Sequence, residues 1–151
     1  MLRTQLSDAL KTAMKAHDQN TVSTVRMILA KLKEQDIAAR AKGNMSGIAD
    51  PEIQQMLQGM VKQRRESIVL YEQGNRPELV AKEAGEIAVI ETFMPKQLTD
   101  AELEAAVSAA IAATGAQSAK DMGRVMALLK EKHAGQLDFA KAGAVAKKRL
   151  A

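Results

Sequence analysis

Ser118-Ala119-Lys120-Asp121-Met122-Gly123-Arg124-Val125-Met126 reads as the start of a capped helix. Ser118 is placed to accept from the orphan N–H groups of the first turn, and Asp121 to reach back in the manner of a capping box. Lys120 and Arg124, four residues apart, share one helix face. Gly123 costs about 1 kcal/mol relative to Ala inside a helix. A close backbone approach, to a neighbouring helix or to a bound phosphate, is expected to offset it.

Outward from this stretch the helical pattern continues. Towards the C-terminus, Met122, Val125, Met126 and Leu129 recur on one face up to about His133, and Gly135 is the stop. Asp138 then caps a last helix carrying Val145 and Leu150 and ending in Lys147-Lys148-Arg149. Towards the N-terminus, Thr99-Asp100-Ala101-Glu102 is a capping box, and the helix it starts runs to Thr114 before Gly115. Pro95-Lys96-Gln97-Leu98 is the connector that marks a domain boundary.

Four more helices are expected before that connector. Leu2, Leu6, Ala9, Leu10 and Ala13 form the stripe of the first, which His17-Asp18-Gln19-Asn20 breaks. Asn20 or Thr21 is the expected cap of the second, with Val22, Val25, Ile28, Leu29 and Leu32 inward and an end near Ala41. Asp50-Pro51-Glu52 starts the third, with Asp50 as N-cap and Pro51 at the first helical position. Gly74 stops it, and Asn75-Arg76-Pro77-Glu78 starts the fourth. No β-alternating run occurs. The expected fold is all-α: an N-terminal four-helix domain over 1–95 and a small three-helix tail domain over 96–151.

Composition agrees. Hydrophobic residues make up 46% of 151, enough for a core, while aromatics are 2%, namely Tyr71, Phe93 and Phe139. An aliphatic core of this kind favours helix packing over a β-sandwich. The absence of cysteine excludes disulfides, thiolate zinc sites and cysteine nucleophiles. No signal-type apolar run and no span of about 18 apolar residues occurs, so a cytoplasmic chain without a membrane partner is expected. The net charge of +4 is uneven: Lys96–Ala151 hold nine basic and six acidic residues, against 13 and 12 in Met1–Pro95.

The catalytic patterns are missing. His17 and His133 are the only histidines and fit no ligand spacing, so no metal is expected. No P-loop, G-x-G-x-x-G or G-x-S-x-G occurs, and no cofactor is expected. Glu83 and Glu86 could do acid–base work only in a cleft that separates their pKa values. The plainer reading joins them to Arg64, Arg65 and Glu66 as a structural polar cluster, with Arg65 and Glu83 or Glu86 as partners across two antiparallel helices. The nine methionines fit gap-filling packing. What remains is the basic tail: Lys120, Arg124, Lys130, Lys132, Lys141, Lys147, Lys148 and Arg149. Without interleaved aromatics it suits the phosphates and shape of folded RNA rather than stacking on single-stranded bases.

The residues also carry a resemblance. Arg64-Arg65-Glu66-Ser67-Ile68, Tyr71-Glu72-Gln73-Gly74-Asn75-Arg76, Lys82-Glu83-Ala84-Gly85-Glu86-Ile87 and Phe93-Met94-Pro95-Lys96-Gln97-Leu98 resemble the YqeY-like family. Asp121-Met122-Gly123-Arg124-Val125-Met126, Ala134-Gly135 and the basic end resemble the tail domain shared with GatB, the B subunit of the glutamine-dependent tRNA amidotransferase. One departure stands out: Phe139-Ala140-Lys141 follows Asp138 where many relatives have a Gly-rich turn.

The resemblance implies a tail that helps hold tRNA. It brings neither the amidotransferase's catalytic domain nor a glutaminase, so a carbon–nitrogen ligase activity with glutamine as amide donor would need a catalytic partner. The leading expectation is a non-catalytic accessory protein that binds tRNA, another folded RNA or a tRNA–enzyme complex. Its RNA-binding residues would be Lys120, Gly123, Arg124, Lys130, Lys147, Lys148 and Arg149. The rivals are a protein–protein adaptor docking through the N-terminal helices, and an enzyme at the Arg64–Glu86 cluster.

Overall fold

The spacing of apolar residues is realised as seven α-helices and one 3-10 turn in the computed structural model, which describes residues 1–151. The chain divides into two units, Met1–Met94 and Pro95–Ala151.

The first unit holds α1 (Leu2–Lys15), α2 (Gln19–Ala41), α3 (Asp50–Gln73) and α4 (Pro77–Glu91). Leu2, Leu6, Ile28, Leu32, Ile53, Leu57, Val61 and Ile90 bring one face of each helix into a common core. The α3–α4 pair is the most extensive, because the short Gly74–Arg76 turn folds α4 back along α3. Asn75 takes a left-handed φ of 53° in that turn. The cap of α2 is Asp18, not Asn20 or Thr21: its carboxylate accepts from the Thr21 N–H at 3.2 Å and the Thr21 hydroxyl at 2.6 Å. Asp50 is likewise inside α3 rather than its cap. Its carboxylate accepts from the Leu2 N–H at 3.2 Å and so secures the start of α1.

A second tie binds α1 to α2. Arg3 grips Asp36 with two parallel bonds of 2.7 Å and donates to the Ile48 carbonyl at 2.8 Å. The Ile48 N–H closes the ring on Asp36 at 2.9 Å. The Arg3 guanidinium holds the Asp36 carboxyl down at about 2. Gly47 lies over this clasp with φ +83°, and a Cβ there would stand 2.5 Å from Asp36 Oδ1. Only glycine satisfies both the backbone conformation and the space.

The second unit holds α5 (Asp100–Thr114), the 3-10 turn Ala119–Asp121, α6 (Met122–Lys132) and α7 (Phe139–Leu150), each α-helix packed on the other two. Thr99 and Glu102 form the expected capping box, and Gly115 ends α5 with φ 66°. Leu103, Val107, Val125, Leu129, Ala142, Ala146 and Leu150 form the core. On α7 the buried stripe is Ala142, Ala146 and Leu150, while Val145 is only half-buried. Methyl-sized side chains let that helix approach closely. Asp138 caps α7 directly, accepting from the Ala140 N–H at 2.8 Å, so Phe139-Ala140-Lys141 enters the helix with no Gly-rich turn in its place. The connector is stitched to the α6–α7 loop. The Leu98 N–H donates to the Gln136 carbonyl at 2.7 Å, and Gln97 donates to the Gly135 carbonyl.

Candidate nucleic-acid interface

The start of α6 differs from the expected cap. Residues 119–121 form a 3-10 turn and the α-helix proper begins at Met122. Asp121 does reach back, accepting from the Gln117 N–H at 2.9 Å and the Ser118 N–H at 3.3 Å. The Ser118 side chain makes no cap bond, because the tighter turn already pairs the Asp121 N–H with the Ser118 carbonyl. The Gln117 N–H, and then the Arg124 guanidinium, hold the Asp121 carboxyl below the usual carboxylate range.

Arg124 has intramolecular partners. One nitrogen pairs with Asp121 at 2.7 Å and another donates to the Thr114 carbonyl at 3.2 Å. It thereby ties the C-terminus of α5, where orphan carbonyls concentrate, to the turn that starts α6. Sequence spacing marks Lys120 and Arg124 as neighbours but carries no sign of Thr114, which lies in the preceding helix. Gly123 is exposed, and nothing stands within 4 Å of where its Cβ would be. No helix of this chain makes the close approach expected there.

The other basic residues divide in two. Lys130 sits over the Phe139 ring, 5.5 Å from its centroid, a cation–π contact that holds α6 to α7. Arg149 lies 3.8 Å from Glu104 on α5. Lys120, Lys132, Lys141, Lys147 and Lys148 are exposed and stand in none of the unit's ion pairs. Meanwhile Glu102, Asp121 and Asp138 are turned to the N–H groups that open helices or turns. These three carboxylates serve the starts of helices or turns, while the five lysines face solvent.

The polar cluster of the first unit is re-paired. Arg64, not Arg65, meets Glu86, at 2.9 Å, with side chains 12% and 9% exposed. Arg64 also donates to the Met60 carbonyl at 3.2 Å and touches Met27 Sδ at 3.7 Å. Arg65 pairs instead with Glu91 at the surface, at 2.9 Å. Glu66 and Glu83 belong to neither pair. The reason is helical phase: adjacent residues on α3 point about 100° apart, so only one of the two arginines can face α4's buried side. No group of three His, Asp or Glu side chains is placed to hold a metal ion.

An all-helical chain in two units, with a capped basic three-helix unit at its end, is the class of protein defined by this fold. The pattern of the family described as "Yqey-like protein" matches residues 3–150. The chain belongs to the YqeY-like family. Among curated proteins it is similar to "Altered inheritance of mitochondria protein 41, mitochondrial" of Saccharomyces cerevisiae, 32% identical over 100 residues, covering 66% of this chain and 51% of the yeast protein. The protein of the same name from Lachancea thermotolerans is 30% identical over 105 residues, covering 68% of this chain and 54% of its own length. The chain thus spans about half the length of the curated relatives it matches.

These relatives correct the expected cytoplasmic location, since their names place them in mitochondria. The expectation rested on apolar runs, which report membrane insertion and signal peptides but not compartment. No helix is long and apolar enough to cross a membrane.

Proposed function

We propose that the protein is a non-catalytic accessory factor whose C-terminal unit binds folded RNA through phosphate contacts, tRNA or tRNA held by an enzyme being the target class. The observation that carries this reading is the arrangement of charge in that unit. Its cap carboxylates are engaged by backbone N–H groups, and Lys120, Lys132, Lys141, Lys147 and Lys148 are left exposed without carboxylate partners. Such a surface attracts a phosphate backbone and has no group arranged to read bases, so binding is shape-dependent and sequence-tolerant. Arg124, Lys130 and Arg149 act mainly as ties within the unit and add to its field.

The Arg64–Glu86 pair supports the non-catalytic part of the reading. A carboxylate gripped by a largely buried arginine, itself held by the Met60 carbonyl, is positioned for packing rather than proton transfer. Retardation of bulk tRNA by the full chain at low and at moderate salt tests the proposal. Binding that weakens steeply with salt supports it. No binding at low salt would place the adaptor reading first.

A further inference from the structure

α2 carries a second charged surface. Arg26, Ala30, Lys33, Ile37 and Arg40 follow one another at steps of four, three, four and three residues, so they line one face of the helix. All five are exposed. The three cations recur every seven residues, about 10.5 Å apart along the axis.

Its own helix neutralises little of this face: Arg40 feels Asp36 electrostatically but forms no ion pair with it. The carboxylates of α2 are Glu34 and Asp36. Glu34 is turned to Lys31 at 3.4 Å, and Asp36 is held by Arg3 in the bidentate clasp at 2.7 Å. Arg26, Lys33 and Arg40 stand in none of the chain's ion pairs. The opposite face holds Val25, Ile28 and Leu32 in the core, which fixes the helix in rotation and keeps the cations outward.

We infer that this face of α2 is a second polyanion-binding surface, with the phosphodiester backbone of RNA as its ligand. An extended row of cations at regular intervals matches a repeating line of phosphates better than it matches a single small anion, which would need convergent donors. An anionic bilayer is the poorer fit: the row carries Ile37 as its only large apolar side chain, too little to embed a helix face in lipid. The inference rests on the RNA-binding reading for the identity of the polyanion, but on different residues and a different unit.

The test uses the full-length chain, bulk tRNA, and vesicles of mixed zwitterionic and anionic phospholipid. The variant Arg26→Gln, Lys33→Gln, Arg40→Gln keeps the helix and removes the row. It is compared with wild type, with a charge-keeping Arg26→Lys, Arg40→Lys variant, and with a tail variant Lys141→Gln, Lys147→Gln, Lys148→Gln. The expected result is a loss of tRNA affinity of roughly tenfold or more at low salt and a log–log salt slope flatter by about 2. The melting curve should be unchanged and the charge-keeping variant should bind like wild type. If the tail variant weakens binding while the α2 variant matches wild type in affinity and slope, the α2 inference is overturned and the tail reading stands. If the α2 variant alone weakens binding, the tail reading fails and the α2 surface stands. Wild type that ignores tRNA, or that binds the vesicles through this row instead, overturns RNA as the ligand.

Discussion

Arg64 on α3 and Glu86 on α4 form an ion pair of 2.9 Å with both side chains nearly excluded from solvent. Their neighbours Arg65 and Glu91 form a pair of the same length in the open, with 64% and 44% exposure. Equal geometry thus occurs in two environments, one residue apart on α3.

The two pairs should differ in consequence. Truncating one partner of a shielded pair strands the other, at roughly 3–5 kcal/mol, whereas exposed pairs contribute about 1 kcal/mol or less. Arg64→Ala and Glu86→Ala are expected to lower the melting temperature sharply, and Arg65→Ala barely. Thermal melts of the three variants check this. Equal small losses at all three positions would show that the Arg64–Glu86 pair is solvated.

Acid should loosen the Arg3–Asp36 clasp. Asp36 titrates at about 2 in the folded chain against an ordinary 3.8, so folding favours its charged form. Its contribution is complete above pH of about 4 and is lost as pH falls towards 2. Discounted for the partial exposure of Arg3, it amounts to about 1–2 kcal/mol. Chemical denaturation from pH 6 to pH 2 should show wild type losing that much more stability than Asp36→Asn. Parallel pH profiles would remove the clasp from the account.

Two glycines should respond oppositely to alanine. Gly47→Ala meets Asp36 and a φ of +83°, and is expected to destabilise by roughly 1–3 kcal/mol. Gly123 lies in a helix with open space about its Cβ position, so Gly123→Ala should stabilise by up to about 1 kcal/mol. Denaturant midpoints of both variants read the signs directly. Weaker tRNA binding by a stabilised Gly123→Ala chain would show that a phosphate approaches that backbone.

Local features were the legible ones. The Thr99–Glu102 capping box, the Gly115 stop and the inward face of α2 depend on residues within a turn or two of one another. Pairings across elements were not. Arg64 and Arg65 are equivalent in composition, and only the phase of α3 against α4 decides which meets Glu86. Arg3 and Asp36 lie 33 residues apart, with no motif to link them. The Ala142–Ala146 stripe was hidden because alanine carries too little hydrophobicity to mark a face, although its four-residue repeat was a usable sign. The basic tail was visible as composition. Which cations remain free, and which are tied to Asp121, Thr114, Phe139 or Glu104, required the packed unit.

The RNA-binding role of the C-terminal unit is tested most directly by the salt dependence of tRNA binding in the Lys141→Gln, Lys147→Gln, Lys148→Gln variant. Each phosphate contact removed flattens the log–log slope by about 0.7–0.9. The expected result is weaker binding and a slope flatter by roughly 2, with helical content and melting temperature unchanged. Wild-type affinity and an unaltered slope in that variant would contradict the account.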